Sequence, residues 1–348
     1  VVPRHLEERV TSGLAGYVAR RLGQAVVVLW AAFTVTFVIL YLLPSDPVSI
    51  MLSGGQGGDQ ATVDPAQVAA LRAEYGLDDP LPVQYLHALW RTLHLDFGNS
   101  IQNGASVGSL IADALPQTAT LAAAAFVLAL VIGVGIAFLS TWTRWRWVRT
   151  LLLALPPLGV SLPTFWVGLL LIQFFSFRIP IFPALGNAGI SSLVLPAITL
   201  AIPVSASIGQ VLARGLRTAL AEPYVETARA KGASRARVHL RHAFRNATIP
   251  TLTIGGVIVG NLLAGAVVVE TVFSRVGIGR LTVTAVNGQD IPLVQGLVLL
   301  AATVFVVTNL VVDLLYPVVD PRIRVVGAAR ASRRRDRTVD HTVVGAGT

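Results

Sequence analysis

The 348-residue chain is 54% hydrophobic and only 13% charged, with a mean hydropathy of +0.69, more apolar surface than one soluble core can hide, so lipid must cover much of it. Its net charge of +9 comes from arginines that flank apolar runs, the pattern of a membrane surface rather than of a nucleic-acid partner. It has no cysteine, which excludes disulfide frameworks, thiolate metal sites and cysteine nucleophiles.

Crossing a hydrocarbon layer takes about 20 apolar residues in a helix. Six stretches qualify, at 22–43, 117–140, 151–175, 193–213, 250–272 and 294–316. Backbone groups in lipid must bond within their own segment, so the expected fold is an all-α polytopic membrane protein with six transmembrane helices. The first run follows Arg20 and Arg21, is as long as a full span and lacks a small-x-small cleavage site, so it reads as a retained signal anchor behind a cytoplasmic N-terminus, 1–21. Residues 44–116 are hydrophilic, with a glycine patch at Gly54 to Gly58 and a helical-looking stretch from Pro65 to Leu95, and read as a small folded extracytoplasmic domain between helices 1 and 2. His87 and His94, seven apart, share a helix face there, but without a further ligand at the right spacing no metal site is expected.

The third and fourth runs carry Pro156, Pro157, Pro163, Pro196 and Pro203, each of which removes a donor and bends the helix, either as a packing kink or to open a cavity. The permease core is expected over 117–316, with a basic cytoplasmic loop at 214–249 too long for a simple turn. Within it Pro223 can open a helix, Glu226 complements its N-terminal dipole, Ala228 and Ala230 keep its surface smooth, and Gly232 ends it in the left-handed conformation. His239 and His242, among arginines in the same loop, read as surface positions. On the fifth run Gly256 and Gly260 form a G-x-x-x-G face continued by Ala264, which permits close approach of another helix, from a partner or from this chain. Gln173, Gln210 and Asn261 are candidates for lining a pathway. Glu270 either lines the channel mouth or caps an interface. Asp313 is expected to form an interfacial pair near Arg322 and Arg324, and the tail 317–348 to be disordered after 324.

A cytoplasmic N-terminus puts all but Arg72, Arg91, Arg178, Arg275 and Arg280 of the 27 basic residues on the inner side, so both termini are expected to be cytoplasmic. A phosphate-binding loop would need Lys-Ser or Lys-Thr after its glycines. The one lysine, Lys231, precedes Gly232, so this chain is not an ATPase and no enzyme.

The loop YVETARAKGASRARVHLRHAFRNATIP resembles the "EAA" coupling loop of bacterial ABC importers, with Glu226, Ala228 and Gly232 at the motif positions. Further matches, LLPSDP at 42–47, LRAEYGLDDPLPVQYL at 71–86, DFGNS at 96–100, SLPTFWVGLLLI at 161–172, GAVVVETVF at 265–273, GIGRL at 277–281, DIPLVQGLVLL at 290–300 and NLVVDLLYPVVDPRIR at 309–324, are similar to the dipeptide/oligopeptide permease family. Ser274-Arg275 departs from the Trp-Pro pair common there. The resemblance implies a type I ABC importer transmembrane domain in the bacterial cytoplasmic membrane. It implies as partners a homologous second permease, two ATP-binding subunits or domains that hold the ATP and Mg, and an extracytoplasmic peptide-binding protein. It assigns ATPase coupling to Tyr224, Glu226, Ala228, Arg229, Lys231 and Gly232, and the permease contact to Gly256, Gly260 and Ala264. Cargo could also be a nickel chelate, glutathione or haem. The competing class is an ATP-independent secondary transporter.

Overall fold

The computed structural model describes residues 4–42 and 79–319, without the side chains of 4–19, 41–42, 253 and 314–319. The Gly54 to Gly58 patch, the stretch 65–78, Arg322, Arg324 and the tail lie outside the described residues. Helices account for nearly all of the described chain: α1 (Arg4–Leu42), α2 (Leu81–Leu93), α3 (Val107–Trp142), α4 (Arg146–Ser161), α5 (Thr164–Ile172), α6 (Ser191–Ala221), α7 (Pro223–Ala230), α8 (Arg235–Arg237), α9 (Phe244–Thr253), α10 (Gly255–Val272), α11 (Ile278–Asn287) and α12 (Ile291–Val319). Five described helices are long and apolar enough to span, within α1, α3, α6, α10 and α12, and six spans result if α4 and α5 count as one.

That pair departs from the expected single kinked helix, because α4 and the Thr164–Arg178 segment meet at 100°. Pro163 is the cause: it has no amide donor and holds Leu162 extended, with ψ 128°, so the helix must restart at Thr164. α5 then runs into a π-helical turn, Gln173–Arg178. The second span begins ten residues earlier than its apolar run, since Ser106 sits at the N-cap and Pro116 is accommodated inside α3. The fifth apolar run is divided at Ile254 between α9 and α10.

The central element is α6. Its most apolar stretch is 67% buried inside the molecule, against 17% to 33% for the other spans. Its largest partner is α3. The buried stripe on α3 runs Ala114, Thr118, Leu121, Ala125, Ala129, Gly133, Ala137 and Ser140, small residues at helical spacing that bring the two backbones close. A Cβ on Gly133 would stand 2.8 Å from the Ser205 carbonyl oxygen and 2.9 Å from Ile208 Cβ. Around this seam Leu195, Leu200, Val204 and Ile208 of α6 meet Ile172, Ile258, Leu262, Val269 and Phe273. A second cluster joins Leu212 and Leu216 to Ala243 and Ala247 at one end, and a third joins Leu40, Val107, Ala285, Leu293 and Leu297 at the other.

α1 packs along α12. Arg21 pairs with Asp313 at 3.1 Å. The interfacial pair expected for Asp313 is therefore made with the first span, nearly the whole sequence away, because the two helices run side by side at that end.

Candidate functional site

At the α7 end of the bundle, α6 stops at Ala221 and α7 starts at Pro223, with Glu222 extended between them. Proline occupies the first helical position and Glu226 lies in the first turn, as expected. The C-terminus closes when Gly232 N–H donates to the Arg229 carbonyl (2.9 Å) and Ala233 N–H to the Ala228 carbonyl (3.0 Å), a Schellman cap with Gly232 at φ +82°. Three other helix ends use the same turn without glycine, placing Leu95, Ser274 and Gln289 at φ 59°, 48° and 50°.

Val225 is the buried anchor of α7, whereas Glu222, Glu226, Arg229, Ala230, Lys231 and Gly232 are exposed and Tyr224 and Ala228 half-buried. Asn246 Nδ2 donates to the Tyr224 hydroxyl at 3.2 Å. α7 is thus fixed along one side and open along the other. Behind it the chain is tied to the end of α3. Arg235 donates to the Trp142 carbonyl and stacks 4.7 Å over the Trp142 ring. His239 is buried, contrary to the surface role expected, with its ring edge-on to Phe138 (5.8 Å) and Trp142 (5.1 Å). Loss of water chiefly, and the nearby arginines to a lesser degree, hold its imidazole below the usual histidine pKa, against the opposing pull of backbone hydrogen bonds. Surrounding arginines suggested solvent from sequence alone, but the aromatic pair on α3 supplies a pocket.

Beside α7 an open cleft of about 800 Å³ runs between the second half of α6 and the start of α9, lined by Gln210, Arg214, Thr218, Glu222, Tyr224 and Asn246. Gln210 is exposed in it. Asn261 and Ala264 are exposed on α10, aligned with Val257 and Val268 at helical spacing. Gly260 has open space where a side chain would be, but a Cβ on Gly256 would collide with Asn309 of α12. The G-x-x-x-G face is therefore split: Gly256 packs within the chain, and Gly260 with Ala264 is open. Gln173 is exposed at the start of the π-helical turn.

At the opposite end, two buried carboxylates organise the turns between spans. Glu270 is 1% exposed, so it is a cap inside the fold and not a wall of an open mouth. Thr118 Oγ1 donates to Glu270 Oε1 at 2.6 Å and accepts from Ile278 N–H at 2.8 Å. Glu270 Oε2 accepts from Gly279 N–H (2.7 Å) and Arg280 N–H (3.2 Å), so the carboxylate neutralises the positive end of α11. A side chain at Gly277 would strike this carboxylate.

Asp290, fully buried, accepts from the Ser100 hydroxyl, from Ile101 N–H at 3.2 Å and from Leu293 N–H at 3.3 Å, capping α12 while gripping the 96–106 loop. Arg275 is also buried. Its guanidinium donates to the Gly186 carbonyl (3.1 Å) and the Ser192 carbonyl (3.0 Å), and burial lowers its pKa against the opposing pull of Glu270. Asn187 completes the lock, accepting from Val276 N–H at 2.8 Å and donating to the Val276 carbonyl at 3.1 Å. Sequence reasoning did not single out Thr118, Ser100, Asn187 or Asp290. Of these only Asp290, one residue before a helix that begins Ile-Pro, carried a local signal.

Two family models cover most of this architecture. One, the binding-protein-dependent transport system inner membrane component, matches residues 129–325, and its N-terminal companion matches 14–122. The chain is 34% identical over 339 residues to the dipeptide transport system permease protein of Escherichia coli K12, covering 88% of this chain and 98% of that one. A candidate peptide transport system permease protein of Brucella abortus is 35% identical over 319 residues, covering 89% and 99%. Among solved structures, an amino acid ABC transporter crystallised with histidines matches at 18% identity and a TM-score of 0.44, over 62% of this chain and 94% of that one. The chain belongs to the family of binding-protein-dependent transport system inner-membrane components, as a multi-pass permease subunit.

Proposed function

We propose that this chain is one of two permease subunits of an ATP-driven peptide importer, and that α7 is the coupling helix through which separate ATPase subunits drive it. The observation that carries the reading is the form of α7: a short helix, capped at its C-terminus by Gly232, anchored by Val225 and Tyr224, with Glu226, Arg229, Ala230 and Lys231 free of packing. Such a helix fits a groove on a partner, and it adjoins α6, the most buried span. Peptide is the preferred cargo because the similar E. coli and Brucella proteins are named for peptide systems.

In this reading α7 faces the cytoplasm and the Glu270 and Asp290 turns face outward. ATP-driven closure of the ATPases presses the coupling helices together and turns the cavity outward. A docked binding protein then releases its peptide, and hydrolysis returns the cavity inward. Gly260 and Ala264 form the open part of the contact with the second permease, while Gly256 sets the spacing of α10 on α12. Gln210, at the cleft, Gln173 and Asn261, exposed on α10, are the pathway candidates.

A photo-crosslinking residue at Lys231, in the complex purified with its ATPase subunits, tests the central contact. An adduct with an ATPase subunit is expected, and an equivalent probe at Leu185, on the opposite end, should give none. No ATPase adduct from Lys231 in an assembly that hydrolyses ATP overturns the reading. In vesicles, uptake should stop without the ATPase subunits. Uptake that persists without them and collapses with a proton uncoupler would identify a secondary transporter instead.

A further inference from the structure

The α2 helix buries none of its residues, yet it is strongly two-faced. Leu86, Trp90 and Leu93 recur at helical spacing and are 60%, 66% and 69% exposed. His87, Arg91 and His94 occupy the neighbouring arc. A contiguous apolar face of this kind marks an interaction surface, and its position says what covers it.

Tyr85, on the flank of α2, packs 5.6 Å from the Phe33 ring and 5.3 Å from the Phe37 ring of α1, and its hydroxyl lies 2.8 Å from Thr34 Oγ1. Thr34 is six residues, about 9 Å of helix rise, inside the end of the first span at Leu40. With the first span in the bilayer, the side chain of Tyr85 lies at hydrocarbon depth and the α2 backbone at its edge. The wall of α1 beside it is apolar and open, with Val35, Val38 and Ile39 all exposed, so it is lipid-facing surface. Trp90 has the amphipathic ring that settles at headgroup level. Arg91 is held at the polar edge by Asp96 at 3.0 Å.

We propose that α2 is an in-plane membrane helix whose Leu86, Trp90 and Leu93 face is inserted into the lipid interface beside the first span, with phospholipid as its partner. An amphipathic helix typically sinks about 5–10 Å into the headgroup and acyl boundary, which matches the depth set by the Tyr85 contact. The consequence is that α2 is anchored twice, to α1 and to the bilayer, and fixes the height of the 96–106 loop that Asp290 grips.

The chain has no cysteine, so single spin labels report without background from it. In the assembled transporter in phospholipid nanodiscs, with partner cysteines replaced by serine, labels at Leu86→Cys and Leu93→Cys should be reached by oxygen and shielded from a water-soluble nickel chelate. A label at His87→Cys should show the reverse. As a check that needs no label, brominated phospholipid should quench tryptophan emission more in the parent than in Trp90→Phe. Nickel access at Leu86 and Leu93, meaning water, or access by neither reagent, meaning a protein cover, would overturn the proposal.

Discussion

Replacing Gly232 with valine tests the capped helix through its backbone alone. No atom lies within 4 Å of where the new Cβ would stand, so no packing change accompanies the substitution. What changes is the energy of holding φ at +82°. A left-handed conformation costs an ordinary L-residue about 1–2 kcal/mol, and a β-branched side chain lies at or above the upper end. An eight-residue helix has little intrinsic stability to set against that. A loss of 1–2 kcal/mol corresponds to roughly a 5–30-fold shift toward the frayed form.

The same cap built with leucine, serine and glutamine elsewhere in the chain shows that the turn itself accepts non-glycine residues without β-branching, so Gly232→Asn should stay near parent. The assay is substrate-stimulated ATP hydrolysis by the purified complex, with membrane insertion checked in parallel. Gly232→Val should insert normally and lose most of the stimulation, and Gly232→Asn should retain it. Full stimulation with valine would refute the argument that the closed cap transmits force.

Three further outcomes are expected. Gly133→Ala forces a methyl against the Ser205 carbonyl and Ile208, and overpacking of that kind costs about 1–3 kcal/mol; the melting temperature of the complex should fall, while Gly135→Ala, where the site is open, should leave it unchanged. Glu270→Gln removes the charge facing the α11 amides and should cost about 1–3 kcal/mol, read as faster proteolysis in 274–290 and no change at α7. For His239, burial favours the neutral ring, so the folded state binds fewer protons than the unfolded one. Its stabilising effect is whole above the unfolded pKa of 6.5 and is lost as pH falls through that value toward the depressed folded one. Protection factors of the amides in 235–243, corrected for the pH dependence of intrinsic exchange, should fall on acidification below about pH 6.5, and His239→Phe should abolish that dependence.

What sequence could deliver divides by range. The α7 helix was fully legible because its start, dipole partner and stop are local to 223–232, and local chemistry decides them. The spans were legible as apolar runs. The 100° break was not, since prolines announce a bend but the direction and size of it depend on what α4 and α5 pack against. The fate of Gly256 was likewise undetermined: a small residue invites close approach, and only the fold reveals that Asn309 accepts the invitation. Glu270 and Asp290 show the same limit for charge. A carboxylate at the end of an apolar run can face water or a cluster of backbone amides. The choice here rests on Thr118 and Ser100, over 150 residues distant in sequence.

Between Ala221 and Pro223 stands the single extended residue Glu222. A connection that short has little slack: rotation or translation imposed on the outer rod is passed to the bundle's axial helix across a single residue. If α7 carries the proposed coupling, lengthening this joint by a few glycines would turn a rigid crank into a loose tether.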